Sequence, residues 1–277
     1  MHMKKIHVDE NVTIRTNEEA DEAFLNENDF AFYDKEKGVV KVSKERWEKA
    51  QRTERKHWMD IGIGAQDDRN FYHAEKFDNY KSINSIVFKN ALEVGCGPFT
   101  NLRLVGEYCK IKKCSLNDPL INDYLTHPNC SYNRISLKLN NNDGLLCKLF
   151  PKKLPIKNIY SCAFEEIPTA EKFDLIVIIN VIEHCFDLDL FFQKVISVLD
   201  IDGIIIFEDK LFTKEGLEED INTVYDAAHP IRANKKLILD FLRINFQSIY
   251  CEIKSNTAEL AGKLFEWDDV YFIGRKK

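Results

Sequence analysis

The chain has 277 residues, 44% of them hydrophobic, enough for one large domain or one domain with an extension. A formal net charge of −6 gives no basic footprint for nucleic acid, and no run reaches the roughly 18 apolar residues of a membrane-spanning helix. Residues Met1 to Glu10 lack the apolar stretch of a secretion signal, and the eight cysteines include no C-x-x-C pair. A cytoplasmic protein with reduced thiols is expected, with neither a disulfide framework nor a metal site.

Residues 1–29 are polar and acid-rich. They read as a leader ordered by packing on the body or on a second copy, so a homodimer through this extension is one expectation. From Phe30, Phe-Ala-Phe-Tyr-Asp and Val39-Val-Lys-Val flank Lys-Glu-Lys-Gly38, which predicts a hairpin with Gly38 in its turn. Ser43 caps a helix running to about Trp58, whose stripe Trp47, Ala50, Glu54, His57 and Trp58 has helical spacing; its two tryptophans read as packing on the main domain, with a direct ligand role as the alternative. Residues 62–80 concentrate Phe71, Tyr72, His73, Phe77 and Tyr80. They read as a lid or as a surface loop with aromatic anchors; tyrosine offers both a flat face and a hydroxyl.

The run Ala91-Leu-Glu93-Val-Gly95-Cys96-Gly97-Pro98 reads as a short strand ending in a glycine turn, and an amphipathic helix follows to Cys109. The two glycines let the backbone turn sharply and leave it without Cβ cover. Strand, glycine turn and helix together bring backbone N–H groups and a helix N-terminus against a nucleotide-like ligand. A nicotinamide dinucleotide fingerprint would need a third glycine where this chain has Thr100. Lys113 to Asn117 predicts a second strand, ending at Asp118, which lies 23 residues beyond Gly95. An acid at that distance can accept hydrogen bonds from both hydroxyls of a ribose, with Asn117 as the neighbouring alternative. Asp118 also suits a helix N-cap, with Pro119 at the first helical position, and the two roles are compatible.

Residues 128–155, with the turn cluster Asn140–Gly144, predict a short hairpin or a helix pair near the substrate. Glu165-Glu166-Ile-Pro168 reads as a solvated helix start. Leu175 to Ile179 is too continuously apolar for a half-exposed strand and predicts a central parallel strand covered on both faces, with Asn180 at its carboxyl end. A helix over Phe186–Leu199 and a buried strand after Gly203 follow. A polar loop then carries Tyr225, Asp226 and His229 to a helix ending at Asn245. The segments 248–254 and 270–274 predict a closing antiparallel pair, joined by 256–269.

In order and spacing, Glu93–Gly97, Asp118, Glu165–Pro168 with Phe173–His184, and Leu199–Phe207 resemble the motifs of class I S-adenosylmethionine (SAM)-dependent methyltransferases with a type 11-like domain. The resemblance covers about residues 80–250. It implies a doubly wound α/β domain over 81–277, with a mostly parallel seven-stranded sheet of Rossmann-like methyltransferase type. Residues 1–80 are then an N-terminal extension of leader, hairpin, helix and lid. The cofactor implied is SAM, leaving as S-adenosylhomocysteine. Its binding residues would be Glu93, Gly95, Cys96, Gly97, Asn117 and Asp118, with Asn180 at the strand end. Ala163 stands where the family has an acid that meets the adenine amino group, and Phe164 is placed to cover the adenine face. Tyr72 and Tyr80 would close the lid over the methionine end.

Glu183 and His184 usually brace the start of the next helix in such proteins, an acid–base pair being the other reading, and His184, Tyr225 and Asp226 are expected on the acceptor side. His229 is read as the catalytic residue, a base or acceptor-binding group, or else as a cap of the helix that follows it. Histidine is the side chain suited to accept a proton near neutral pH. The implied activity is methyl transfer to an oxygen or nitrogen of a small polar metabolite or sugar derivative, with no nucleic-acid or membrane partner. The alternatives are a non-catalytic SAM- or nucleotide-binding regulatory or partner subunit, and a nicotinamide-linked oxidoreductase.

Overall fold

A computed structural model describes residues 5–7, 12–15, 33–34, 36–63, 69–128, 130, 154–168, 170–217, 224–260 and 263–277. The turn cluster Asn140–Gly144, and with it the expected hairpin or helix pair, lies outside the described residues. Among the described residues four short strands come first: β1 (Lys5–His7), β2 (Val12–Arg15), β3 (Tyr33–Asp34) and β4 (Gly38–Val39). Strands β3 and β4 form the expected hairpin, with Gly38 at φ 91° closing its turn as the first residue of β4, paired with Asp34; a Cβ there would lie 2.0 Å from the Arg232 carbonyl oxygen. Helix α1 (Lys44–His57) starts where Ser43 Oγ accepts the Arg46 N–H, and it winds on through a wider turn over Trp58–Gly62. Helix α2 (Arg69–Lys76) and a tight 3₁₀ stretch, Asp78–Ile83, lead into the main domain.

There the elements alternate: β5 (Val87–Phe88), β6 (Ala91–Val94), α3 (Leu102–Tyr108), β7 (Lys110–Ile111), β8 (Cys114–Asn117), α4 (Ile121–Thr126), β9 (Ile156–Tyr160) and β10 (Phe173–Ile179). Helix α5 (Leu188–Val198), β11 (Leu199–Leu211), β12 (Val224–Asp226), β13 (Arg232–Ala233), α6 (Lys235–Asn245), β14 (Phe246–Leu260) and β15 (Lys263–Lys276) complete the chain. One seven-stranded sheet runs β14-β15-β11-β10-β6-β8-β9. Strand β15 is antiparallel to both its neighbours, and the other adjacent pairs are parallel. This is the expected doubly wound, mostly parallel sheet.

The period-2 alternation of strands divides the core between the two faces of the sheet. From β10, Ile176 and Ile178 join α5 and α6 residues such as Phe191, Val195, Ile238 and Phe241 on one face. Leu175, Val177 and Ile179 join Phe77, Leu102, Val105 and Tyr124 on the other. Both faces are therefore dry, which is why β10 reads as an unbroken apolar run.

Part of the leader is ordered on the body, one of the two expectations for it: β1 and β2 pair with each other, and β2 pairs with β12. One expectation needs correction. The 256–269 segment is mostly paired rather than a connection, because β14 and β15 continue in register from Asn256↔Trp267 to Leu260↔Lys263.

Candidate active site

The site sits at the carboxyl end of the central strands, where open α/β sheets bind ligands. β6 ends at Val94 and the chain turns through Gly95 at φ 61° and Gly97 at φ 53°. The two glycines serve different needs. A Cβ on Gly95 would lie 2.5 Å from Val181 Cγ2, so this position is filled by the neighbouring turn. A Cβ on Gly97 would meet nothing within 4 Å, so its bare backbone faces open space. The glycine turn forms one wall of a cleft of about 430 Å³.

Glu93 does not face this cleft. It is 1% exposed and lies beneath the turn, so its expected place among cofactor ligands is corrected. Its carboxylate accepts the Asn101 N–H at 2.8 Å and the Thr100 hydroxyl, and so holds the residues that open α3. Burial outweighs these hydrogen bonds and pushes its pKa up to about 7. Thr100 is accordingly the partner of a buried acid rather than a misplaced glycine.

Asp118 follows β8 and lines the cleft. Its Oδ2 accepts the Gly97 N–H at 2.9 Å and its Oδ1 accepts the Leu120 N–H at 2.8 Å. The expected N-cap role is corrected: α4 is capped at Leu120, Pro119 lies before the helix, and the Asp118 bond to Leu120 closes a local turn, while the same carboxylate ties down the glycine turn. Burial raises its pKa to about 6 against these two bonds. Asn117 also lines the cleft, but its Nδ2 donates to the carbonyls of Tyr160 at 3.1 Å and Cys162 at 2.8 Å, which ties β8 to the chain beyond β9. Cys96, Ala163, Phe164 and Asn180 line the same cleft. Phe164 packs edge-on against Phe191, with ring centroids 5.0 Å apart. Asn180 has φ 55°, a left-handed conformation that asparagine tolerates at the end of β10. Glu165 is not a solvated helix start: it is 9% exposed and accepts the N–H groups of Phe186 and Asp187 at 2.7 and 3.1 Å.

Tyr80 is corrected too. It is fully buried, stacked on Phe77 at 5.3 Å in the core beneath the sheet, and lines no part of the cleft. Tyr72 points away as well; it is 44% exposed and the Lys76 ammonium lies 4.9 Å from its ring. From this segment Asn70 and His73 reach the cleft instead. The segment is helical, so residues three apart share a face, whereas the run of aromatics suggested Tyr72 and Tyr80.

The far wall comes from α1 and from the loop after β12. Trp47, Gln51, Glu54 and Trp58 line it. Trp47 Nε1 donates to the His184 carbonyl at 3.0 Å and Trp58 Nε1 donates to Glu54 Oε2 at 2.8 Å. His184 and His229 face each other with ring centroids 4.5 Å apart. Asp226 Oδ2 lies 2.6 Å from His229 Nδ1, and Asp226 Oδ1 accepts the Ala228 N–H at 3.0 Å. Burial favours a neutral His229, but the Asp226 carboxylate overcomes it and raises the pKa. Burial and then the neighbouring His229 push His184 down to about 4. Asn234, whose side chain accepts the Lys236 N–H, caps α6, so His229 is not that helix's cap. Beside it, Glu183 is held below the usual carboxylate range: burial works the other way, but Lys210 at 2.8 Å, His229 and Arg232 prevail. The backbone of Tyr225 is in β12, opposite Thr13.

Arg46 stands in the first turn of α1. It is 4% exposed and donates to the carbonyls of Ala227 at 2.8 Å and Asp226 at 2.7 Å, pinning the His229 loop to α1. Only the three-dimensional approach of residues about 180 positions apart reveals it.

No known family profile matches the chain, and no curated protein matches it in sequence. Solved structures do match it in shape. The 1,6-didemethyltoxoflavin-N1-methyltransferase of Burkholderia thailandensis, with bound 1,6-didemethyltoxoflavin and S-adenosylhomocysteine, is 11% identical at a TM-score of 0.52, over 99% of each chain. The N-methyltransferase NodS of Bradyrhizobium japonicum, in complex with S-adenosylhomocysteine, is 15% identical at a TM-score of 0.50, over 83% of this chain and 98% of that one. The chain has the Rossmann-like fold of class I SAM-dependent methyltransferases.

Proposed function

We propose that the protein is a SAM-dependent methyltransferase that moves a methyl group to an oxygen or nitrogen of a small polar metabolite or sugar derivative in the cytoplasm. One observation carries this reading: the uncovered Gly97 backbone, the Asp118 carboxylate and the Asp226–His229 pair all face one cleft. The residues fit the cofactor. Gly97 has free space where a Cβ would stand, and Asn101, which also lines the cleft, has a buried Oδ1 to which no described group donates. Gly95, Cys96 and Gly97 would take the amino-acid end, Asp118 the ribose, and Ala163 with Phe164 the adenine. SAM supplies a methyl group already activated for displacement, so the chain's task is placement and proton removal. Alignment of the reacting atoms is worth roughly 7–11 kcal/mol of barrier.

On the acceptor side His229 is the residue to take the acceptor's proton. Asp226 holds its Nδ1, which leaves Nε2 for the cleft, and Arg46 with Trp47 fixes the loop and turn that carry the two histidines. The mixture of aromatic, acidic and histidine side chains on the cleft's far wall suits a small polar acceptor. The test is release of S-adenosylhomocysteine from SAM over a panel of small hydroxyl and amine acceptors. Turnover with any of them, lost in His229→Ala, supports the reading. SAM binding without turnover across the panel would make the chain a binding subunit instead.

A further inference from the structure

Glu54, His184 and His229 come from three separate elements: α1, the turn after β10 and the loop after β12. Each offers one ligand atom to a common point, and these atoms lie within 4.8 Å of one another. His229 Nε2 is 3.9 Å from Glu54 Oε1. Donor atoms on one first-row metal, at bonds of 2.0–2.2 Å, stand about 3–3.5 Å apart in a tetrahedral shell, so a small inward movement of three side chains would close one.

What surrounds the three atoms points the same way. The second oxygen of Glu54 is taken by the Trp58 indole N–H at 2.8 Å, which leaves Oε1 facing the histidines. The other nitrogen of His229 is held by Asp226 at 2.6 Å, and a carboxylate behind a ligating imidazole is the usual second partner of a metal-bound histidine. The turn that carries His184 is fixed through its carbonyl, which accepts from Trp47 at 3.0 Å. The Glu54 and His229 side chains are thus each oriented by a further bond before any ion arrives, and the backbone that carries His184 is held in place. Ordinary ion pairing accounts for the 2.6 Å contact between His229 and Asp226 but leaves Glu54 at a looser 3.9 Å.

We propose that Glu54, His184 and His229 bind a divalent first-row cation such as Mn²⁺, Co²⁺ or Zn²⁺. Two imidazoles and a carboxylate are borderline donors suited to these ions. Three protein ligands leave at least one coordination position open, and all three residues line the cleft, so that position faces whatever occupies its acceptor end. If the methyltransferase reading holds, on which this one clause rests, the ion selects an acceptor with an oxygen donor next to the methylated atom. It would also take the His229 Nε2 lone pair, and coordination of the acceptor would replace the imidazole in loosening the proton. Metal binding itself does not rest on that reading.

The experiment uses the full chain, stripped with chelator and dialysed against Mn²⁺ or Co²⁺ alone, with the metal content measured and Co²⁺ followed by its visible spectrum. One equivalent per chain is expected, with a Co²⁺ spectrum of nitrogen and oxygen ligands. His184→Ala and Glu54→Gln should each weaken binding at least tenfold, and Asp226→Asn about 10- to 100-fold. His127→Ala, at a residue that is not among those lining the cleft, should leave it unchanged. No uptake by the wild-type chain, or uptake unchanged in His184→Ala, overturns the site; a sulfur-to-cobalt charge-transfer band moves it to cysteine and overturns it equally. S-adenosylhomocysteine binding measured on the same samples reports folding of each variant and tests the methyltransferase reading separately. Metal uptake without nucleoside binding sinks that reading alone, and nucleoside binding without metal sinks this site alone.

Discussion

Asp118 is asked to hold a ribose while it already holds the glycine turn, and this double duty makes its protonation state measurable. In the folded chain its pKa stands at about 6 instead of near 3.8, because burial outweighs the hydrogen bonds from Leu120 and Gly97. A rise from 3.8 to about 6 makes ionisation about 3 kcal/mol costlier, net of those two hydrogen bonds. Hydroxyls of a ribose favour that ionised form, at about 1.5–3 kcal/mol for each bond to a charged acceptor. The ligand binds the form that lacks the proton, so affinity should rise as pH rises through 6 and level off above 7. Between pH 7.5 and pH 5 the affinity for S-adenosylhomocysteine should fall by about tenfold, one proton per ligand.

Asp118→Asn keeps the size and one acceptor but cannot ionise. It should bind about 10- to 100-fold more weakly at pH 7.5 and lose this pH course. Calorimetric titration of S-adenosylhomocysteine at pH 5, 6, 7 and 8 into both proteins measures the difference, and the difference separates Asp118 from Glu93, whose pKa of about 7 lies in the same range. A wild-type affinity that is flat over this range, or an Asn variant that follows the same course, refutes the assignment.

Three further outcomes follow from the same geometry. Gly97→Val adds a side chain where nothing lies within 4 Å, at a φ of 53° that costs roughly 1–2 kcal/mol. It should stay folded and lose more than tenfold in SAM affinity, whereas Gly95→Ala, aimed at Val181 2.5 Å away, should lower the melting temperature first. Glu93 binds its proton more tightly folded than unfolded, because its folded pKa is raised from 4.5 to about 7; its stabilising share is complete below 4.5 and lost as pH rises through 7. Glu93→Gln removes this loss, so denaturant melts should show the variant gaining about 2–3 kcal/mol on the wild type between pH 5 and pH 8; a constant difference contradicts the buried-acid account. His229→Ala should lower kcat by about 10²- to 10⁴-fold at saturating acceptor while S-adenosylhomocysteine binding persists. Near-normal turnover in that variant would return His229 to a structural part.

The parts legible in the sequence were those whose cause is local. β10 showed as an apolar run because both of its faces are buried, and the glycine turn showed because Gly95 and Gly97 adopt positive φ. Asp118 showed by its distance along the chain from Gly95. What stayed hidden depends on partners far apart in sequence. Glu93 and Glu165 are buried because each accepts two or more N–H or O–H groups, from 7–9 and 21–22 residues away respectively. Pairing of β2 with β12 joins segments about two hundred residues apart and leaves no periodic trace in either. Tyr80 reads as a ligand in the sequence because an aromatic, polar segment looks alike whether its rings face a cleft or a core; in the fold its ring stacks on Phe77. The far wall of the cleft was half legible. The stripe Trp47, Glu54, Trp58 gave the face of α1, but that this face meets His184 and His229 is a fact of tertiary structure.

The central claim is that this cleft binds SAM, and the most direct measurement is a pair of calorimetric titrations of the full chain, one with SAM and one with NAD. The account predicts saturable one-to-one binding of SAM and no binding of NAD, since Thr100 at the third fingerprint position is engaged with Glu93. Binding of NAD without SAM, or of neither, would contradict it.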